Sequence, residues 1–74
     1  MSLFDFRKAV ELKRKDVPFY ALIMAAIMRA DNINSQLLKA AWPELWAETE
    51  RRYNAPGGVL EEDNVPEWYK QITL

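Results

Sequence analysis

Phe19-Tyr20-Ala21-Leu22-Ile23-Met24-Ala25-Ala26-Ile27-Met28 is the stretch that decides the fold. It carries no charge, and its one hydroxyl is that of Tyr20. An amphipathic surface helix interrupts its apolar run with polar residues every third or fourth position. This segment does not, so the expectation is a deeply buried helix from about Val17 to Ala30. Asp16-Val17-Pro18 reads as its start, because Asp caps a helix and Pro is tolerated in a first turn. A membrane span needs about 20 apolar residues. Arg29 ends this run well short of that, and no membrane association is expected.

The size of the chain makes that helix a problem. Seventy-four residues suffice for one domain, read here as a single helical domain spanning residues 1–74. Chains of roughly 70–80 residues often need disulfides, a metal or oligomerisation to reinforce one core. Cysteine and histidine are both absent. Disulfides, Cys/His zinc sites and Ser-His or Cys-His catalysis are thereby excluded. Two or three partner helices cannot easily wrap every side of an apolar one, and an exposed apolar patch marks an association site. A homo-oligomer is expected, with Phe19, Ile23, Met24, Ile27 and Met28 as the oligomer or partner surface.

Working outward, Ser2 with Asp5 marks the start of a first helix, from about Leu3 to Lys15. Leu3, Phe6 and Val10 make its apolar stripe, Leu12 lies off it, and Glu11–Lys15 is spaced for an i,i+4 pair. Downstream of the apolar stretch, Asn32 or Asn34 reads as the cap of a helix carrying Leu37, Leu38 and Ala41. Pro43 interrupts it, as a sharp kink or a restart. Trp42, Trp46, Thr49 and Tyr53 share one side beyond it. Glu44, Glu48, Arg51 and Arg52 form the other, with Glu48–Arg52 as a second i,i+4 pair. Asn54-Ala55-Pro56-Gly57-Gly58 is the strongest stop in the sequence. Val59-Leu60 is expected to tuck onto the core. Asn64-Val65-Pro66-Glu67 looks like one more helix start, leading to Trp68, Tyr69 and Ile72. The fold class is all-α: a small compact bundle of three to four helices with a Pro-kinked third helix.

Charge is distributed unevenly. The formal net charge is −1, but residues 1–16 carry +2 and residues 43–74 carry −4. Solvated helix faces are the common cause of such a pattern; attraction between oppositely charged ends is the other. Lys13-Arg14-Lys15 precedes the apolar helix, and helix N-termini favour anions. Arg7, Lys13, Arg14, Lys15 and Tyr20 are therefore the candidate anion-binding residues, set against the plainer reading of a lysine-rich solvated helix end. Trp42, Trp46 and Tyr53 could stack on a base, although aromatics at helical spacing are more often core. The acidic balance argues against general nucleic-acid binding. Glu61, Glu62 and Asp63, with Glu67 nearby, lack the ligand spacing of a calcium loop and read as a solvated acidic turn. Gly57-Gly58 lacks the Lys-Ser/Thr of a phosphate loop. No metal, cofactor or catalytic residue is expected, and the chain is not expected to be an enzyme.

Three segments carry a resemblance: Phe19 to Ala26, Trp42-Pro43-Glu44-Leu45-Trp46, and Arg52 to Leu60. Together they resemble small uncharacterised proteins of bacteriophages and prophages. The resemblance implies a phage accessory protein acting in the cytoplasm of a bacterial host, and no activity or site residue comes with it. The expected function is that of a non-enzymatic binding protein. It would act in anti-defence, blocking a host protein or sequestering a small nucleotide at subunit interfaces. A structural or assembly factor, such as a small chaperone or scaffold-associated subunit, is the alternative.

Overall fold

The structure, a computed structural model, describes residues 1–64 and bears out the all-α class. Four helices follow in order: α1 (Leu3–Arg14), α2 (Phe19–Arg29), α3 (Asn32–Ala41) and α4 (Pro43–Tyr53). Two short 3-10 turns, Pro56–Gly58 and Glu61–Asp63, close the described chain. The expected helix start at Asn64-Val65-Pro66, with Trp68, Tyr69 and Ile72, lies outside the described residues apart from Asn64. None of the helices among the described residues is long and apolar enough to cross a membrane.

Local chemistry explains most boundaries. Ser2 caps α1 as expected: its Oγ accepts from the Asp5 backbone N–H at 3.2 Å and donates to Asp5 Oδ2 at 3.0 Å. Asp5 lies in the first turn, and Lys13 and Arg14 in the last, each favourably placed against the helix dipole. The ion pair on this helix is Lys8–Glu11 at 3.3 Å rather than Glu11–Lys15. Lys15 is the C-cap, already outside regular helix, so the i,i+4 geometry is lost there.

Two expected caps are corrected. Asp16 does not cap α2; it takes φ 55°, in the left-handed region, and turns the chain out of α1. Asp tolerates that conformation better than most residues with a Cβ. Pro18 is the residue at the N-cap of α2, and it makes no side-chain cap hydrogen bond. At α3 the cap is neither Asn32 nor Asn34 but Asp31, whose Oδ1 accepts from the Asn34 backbone N–H at 2.8 Å.

At Pro43 the chain restarts. Trp42 closes α3 by donating its N–H to the Leu38 carbonyl at 2.8 Å, and its own carbonyl accepts from the Trp46 N–H at 2.8 Å to open α4. Its backbone, at φ −133° and ψ 69°, is helical on neither side. Pro43 then occupies the first turn of α4, where its missing N–H costs nothing.

Helix α4 is the hub. It packs against α2, α3 and the Pro56–Gly58 turn, while α2 and α3 also touch. Trp46 ties α3 to α4, donating its Nε1–H to Ser35 Oγ at 3.1 Å, with Lys39 Nζ 4.6 Å from its ring centre. The core is small. Thr49 is 3 %, Val59 7 % and Leu60 8 % exposed. The expected return of Val59-Leu60 onto the core is thus present, and Thr49 satisfies its hydroxyl by donating to the Leu45 carbonyl at 2.7 Å.

α1 packs against no other element among the described residues. Leu3, Phe4, Phe6 and Leu12 are exposed, Phe6 by 65 %, and Val10 is half-buried.

Candidate functional site

Deep burial of α2 is the main expectation the structure corrects. No residue of this helix is buried. Phe19, Tyr20 and Met28 are exposed, and Leu22, Ile23, Met24 and Ile27 are half-buried. The cause is geometric: α3 and α4 cover one side of α2, and α1, which could have covered another, stands away from it.

The uncovered side opens into shallow grooves. Between α2 and α3 lies a cavity of about 520 Å³, bordered by Ala26, Arg29, Leu37, Leu38, Ala41 and Trp42 among others. Between α2 and α4 lie two adjoining cavities of about 270 and 300 Å³ that share Met28, Thr49 and Tyr53. Ile27, Trp46 and Glu50 line the first of these. Ala21, Met24 and Arg52 line the second. Together they form one groove with an apolar floor and Glu50 at its margin.

Of the expected partner-surface residues, Met24, Ile27 and Met28 line this α2/α4 groove. Ile23 lines none of the three cavities, and neither does Phe19, which makes an edge-on contact with Tyr20, centroids 5.4 Å apart. The stripe of Trp42, Trp46, Thr49 and Tyr53 divides: Thr49 is buried, Trp42 and Trp46 are half-buried, and Tyr53 is exposed. Tyr53 and Glu50 are groove residues that the sequence pattern did not single out as such. Groove membership depends on the distance between α2 and α4, which periodicity along one helix does not encode.

The candidate anion-binding residues are not gathered into a pocket. Arg7, Lys13, Arg14, Lys15 and Tyr20 are all exposed, and none of them borders a described cavity. Lys13-Arg14-Lys15 belongs to the C-terminal end of α1, with Asp16, Val17 and Pro18 between it and α2. None of these four cations has an ion-pair partner among the described residues.

The acidic residues are engaged elsewhere. Arg52 forks onto Asp63, Nη1 donating to Oδ2 at 2.6 Å and Nη2 to Oδ1 at 2.9 Å. The same guanidinium donates to the Gly58 carbonyl at 2.9 Å and, through Nε, to Glu48 Oε2 at 3.0 Å. Glu48–Arg52 is therefore paired as expected. Arg51 pairs with Glu62 at 2.7 Å. The hydrogen bonds from Arg52 and from the Leu60 N–H hold the Asp63 carboxyl down to about 2. Glu62 is lowered by a hydrogen bond with its own backbone and by Arg51. Hydrogen bonds to Asp63 and Glu48 raise Arg52 further. Two of the three acids of the 61–63 turn thus face arginines, and no cluster among the described residues is arranged to hold a metal ion.

No protein-family model matches the chain, and no curated protein or solved structure is similar to it.

Proposed function

We propose that this chain is a non-enzymatic binding protein whose working surface is the open face of α2 with the grooves beside it. The observation that carries this reading is an eleven-residue apolar helix with none of its residues buried. Contiguous exposed apolar surface of this kind marks protein association. Met24 and Met28 add side chains that adapt to a partner's shape. Self-association into a homo-oligomer is part of the proposal.

The narrower form is a phage accessory protein in the cytoplasm of a bacterial cell, blocking a host defence protein. The resemblance of its α2, Trp42–Trp46 and Arg52–Leu60 segments to small phage and prophage proteins supports it. Sequestration of a small nucleotide rests on one observation, that Arg7, Lys13, Arg14 and Lys15 have no ion-pair partner among the described residues, and would need an aromatic partner from a second copy. A role in assembly uses the same face.

A photoreactive amino acid placed at Met28, and in a second chain at Leu12 of α1, tests the reading in cells of the bacterial host. A discrete adduct from position 28 and none from position 12 is expected. Identification of the captured chain separates a host defence protein from a structural component. Adducts at background level from position 28, with and without infection, would overturn the proposal.

A further inference from the structure

A helix α1 that packs against no other described element is itself an anomaly. Isolated helices shorter than about 12–15 residues are marginal in water and draw their stability from packing an apolar face. α1 has twelve residues and such a face, Leu3, Phe6 and Val10, with nothing against it among the described residues. We propose that α1 is an exchange arm: its stripe lies in the α2/α4 groove of a second copy, whose own α1 lies in the groove of the first.

Two observations favour a second copy as the occupant. The first is length. Leu3 to Val10 spans seven residues of helix, as does Ala21 to Met28 along the groove, so each is about 10 Å long. The second is charge. Arg7 and Arg14 follow Leu3 at i+4 and i+11, so they flank the apolar stripe on the same face. Residues 43–64, which supply the other wall, hold six acids against two arginines, a net of −4. Glu50 and Arg52 both border the α2/α4 groove, but Arg52 is held by Glu48 and Asp63, so Glu50 is the charge left to face an arm; Arg29 borders the α2/α3 groove, so a basic arm fits the former.

The hinge holds the arm out. Asp16 turns left-handed at φ 55° and Pro18 is fixed at φ −57° and ψ 146°. A residue before proline is disfavoured from helical backbone, so Val17 cannot simply extend α1. Short, constrained hinges of this kind favour exchange between copies over closure within one.

The proposal rests on the binding reading above, and its test is separable from that one. The chain has no cysteine, so Ala9→Cys beside the stripe and Ala21→Cys in the groove wall are clean probes. Mixing the two single variants with a short bis-maleimide is expected to give a covalent dimer in greater yield than either variant alone. Cross-linking within one chain of the A9C/A21C double variant at high dilution would overturn the proposal. So would sedimentation as a monomer at a hundred micromolar. Phe6→Ser, on a helix that packs against no other element among the described residues, is expected to abolish the dimer while leaving the thermal unfolding of α2–α4 in place. Glu50→Lys is expected to weaken dimerisation about three- to fivefold, as an exposed ion pair would. A monomer whose position 28 still captures a different chain removes the arm and the self-association and leaves the host-protein reading; a dimer whose position 28 captures only a second copy does the reverse.

Discussion

Arg52, on the last turn of α4, grips both carboxylate oxygens of Asp63 eleven residues further on. The same guanidinium holds the Gly58 carbonyl and Glu48, so one side chain fastens the return of the chain beneath which Val59 and Leu60 are buried. A planar fork is what makes this possible; an ammonium offers no two parallel donors.

Arg52→Met is expected to destabilise the protein by about 1–2 kcal/mol, since hydrogen bonds to charged groups contribute more than neutral ones and this one is partly solvated. In a domain this size that lowers Tm by roughly 5–10 °C. Arg52→Lys is expected to recover only part of the loss. Thermal melts followed by circular dichroism at neutral pH check both, and an unchanged Tm in Arg52→Met would show that the clamp is dispensable.

The same clamp sets an acid limit. Asp63 is held at about 2, below its usual value near 4, and Glu62 is also lowered. A carboxyl lowered on folding binds its proton less readily in the folded chain than in the unfolded one. Its stabilisation is complete above the unfolded value and disappears as pH falls from about 4 to about 2. Melts across that window should show Tm falling, with a smaller fall in Asp63→Asn. Parallel pH profiles for the two chains would exclude Asp63 as the source.

Trp46 and Ser35 are the polar tie between α3 and α4. Trp46→Phe and Ser35→Ala are each expected to cost about 1 kcal/mol. Combined, they should cost less than their sum, because either change alone breaks the same bond. Full additivity in urea unfolding would mean that the indole acts through its packing, and through Lys39 over its ring, rather than through Nε1.

Asp31 caps α3. Asp31→Ala is expected to cost about 1 kcal/mol. Asn32→Ala should cost next to nothing, because that residue is exposed and already inside the helix. Equal effects of the two changes would return the cap to Asn32.

What the sequence made legible was local. The four helical segments, the Ser2 cap, the break at Pro43 and the Glu48–Arg52 pair follow from residues three or four apart, where geometry is fixed by the helix itself. Asp31, Asn32 and Asn34 are all good caps, and which one serves depends on where the backbone first turns helical. Periodicity puts Arg52 on an outward face, yet its partner Asp63 lies beyond a Pro-Gly-Gly turn whose path no spacing rule gives. The exposure of α2 escapes the sequence for a related reason. Apolarity states what a helix would bury given neighbours, while α1, beyond the turn at Asp16 and Pro18, does not pack on α2. Met24, Ile27 and Met28 line the groove, but their neighbours there on α4 depend on packing alone.

Consecutive elements do most of the packing: α2 on α3, α3 on α4, and α4 on the turn that follows it. Each such contact closes a short loop, and short loops form at little entropic cost. A chain assembled from neighbours in this way is expected to fold within microseconds to milliseconds, in the range of small helical proteins. The Arg52–Asp63 clamp closes a loop of similar length, so locking the end of α4 adds no slow step. The body from α2 to Asp63 should therefore be complete almost as soon as it leaves the ribosome, with α1, synthesised before all of it, attached to no part of that body.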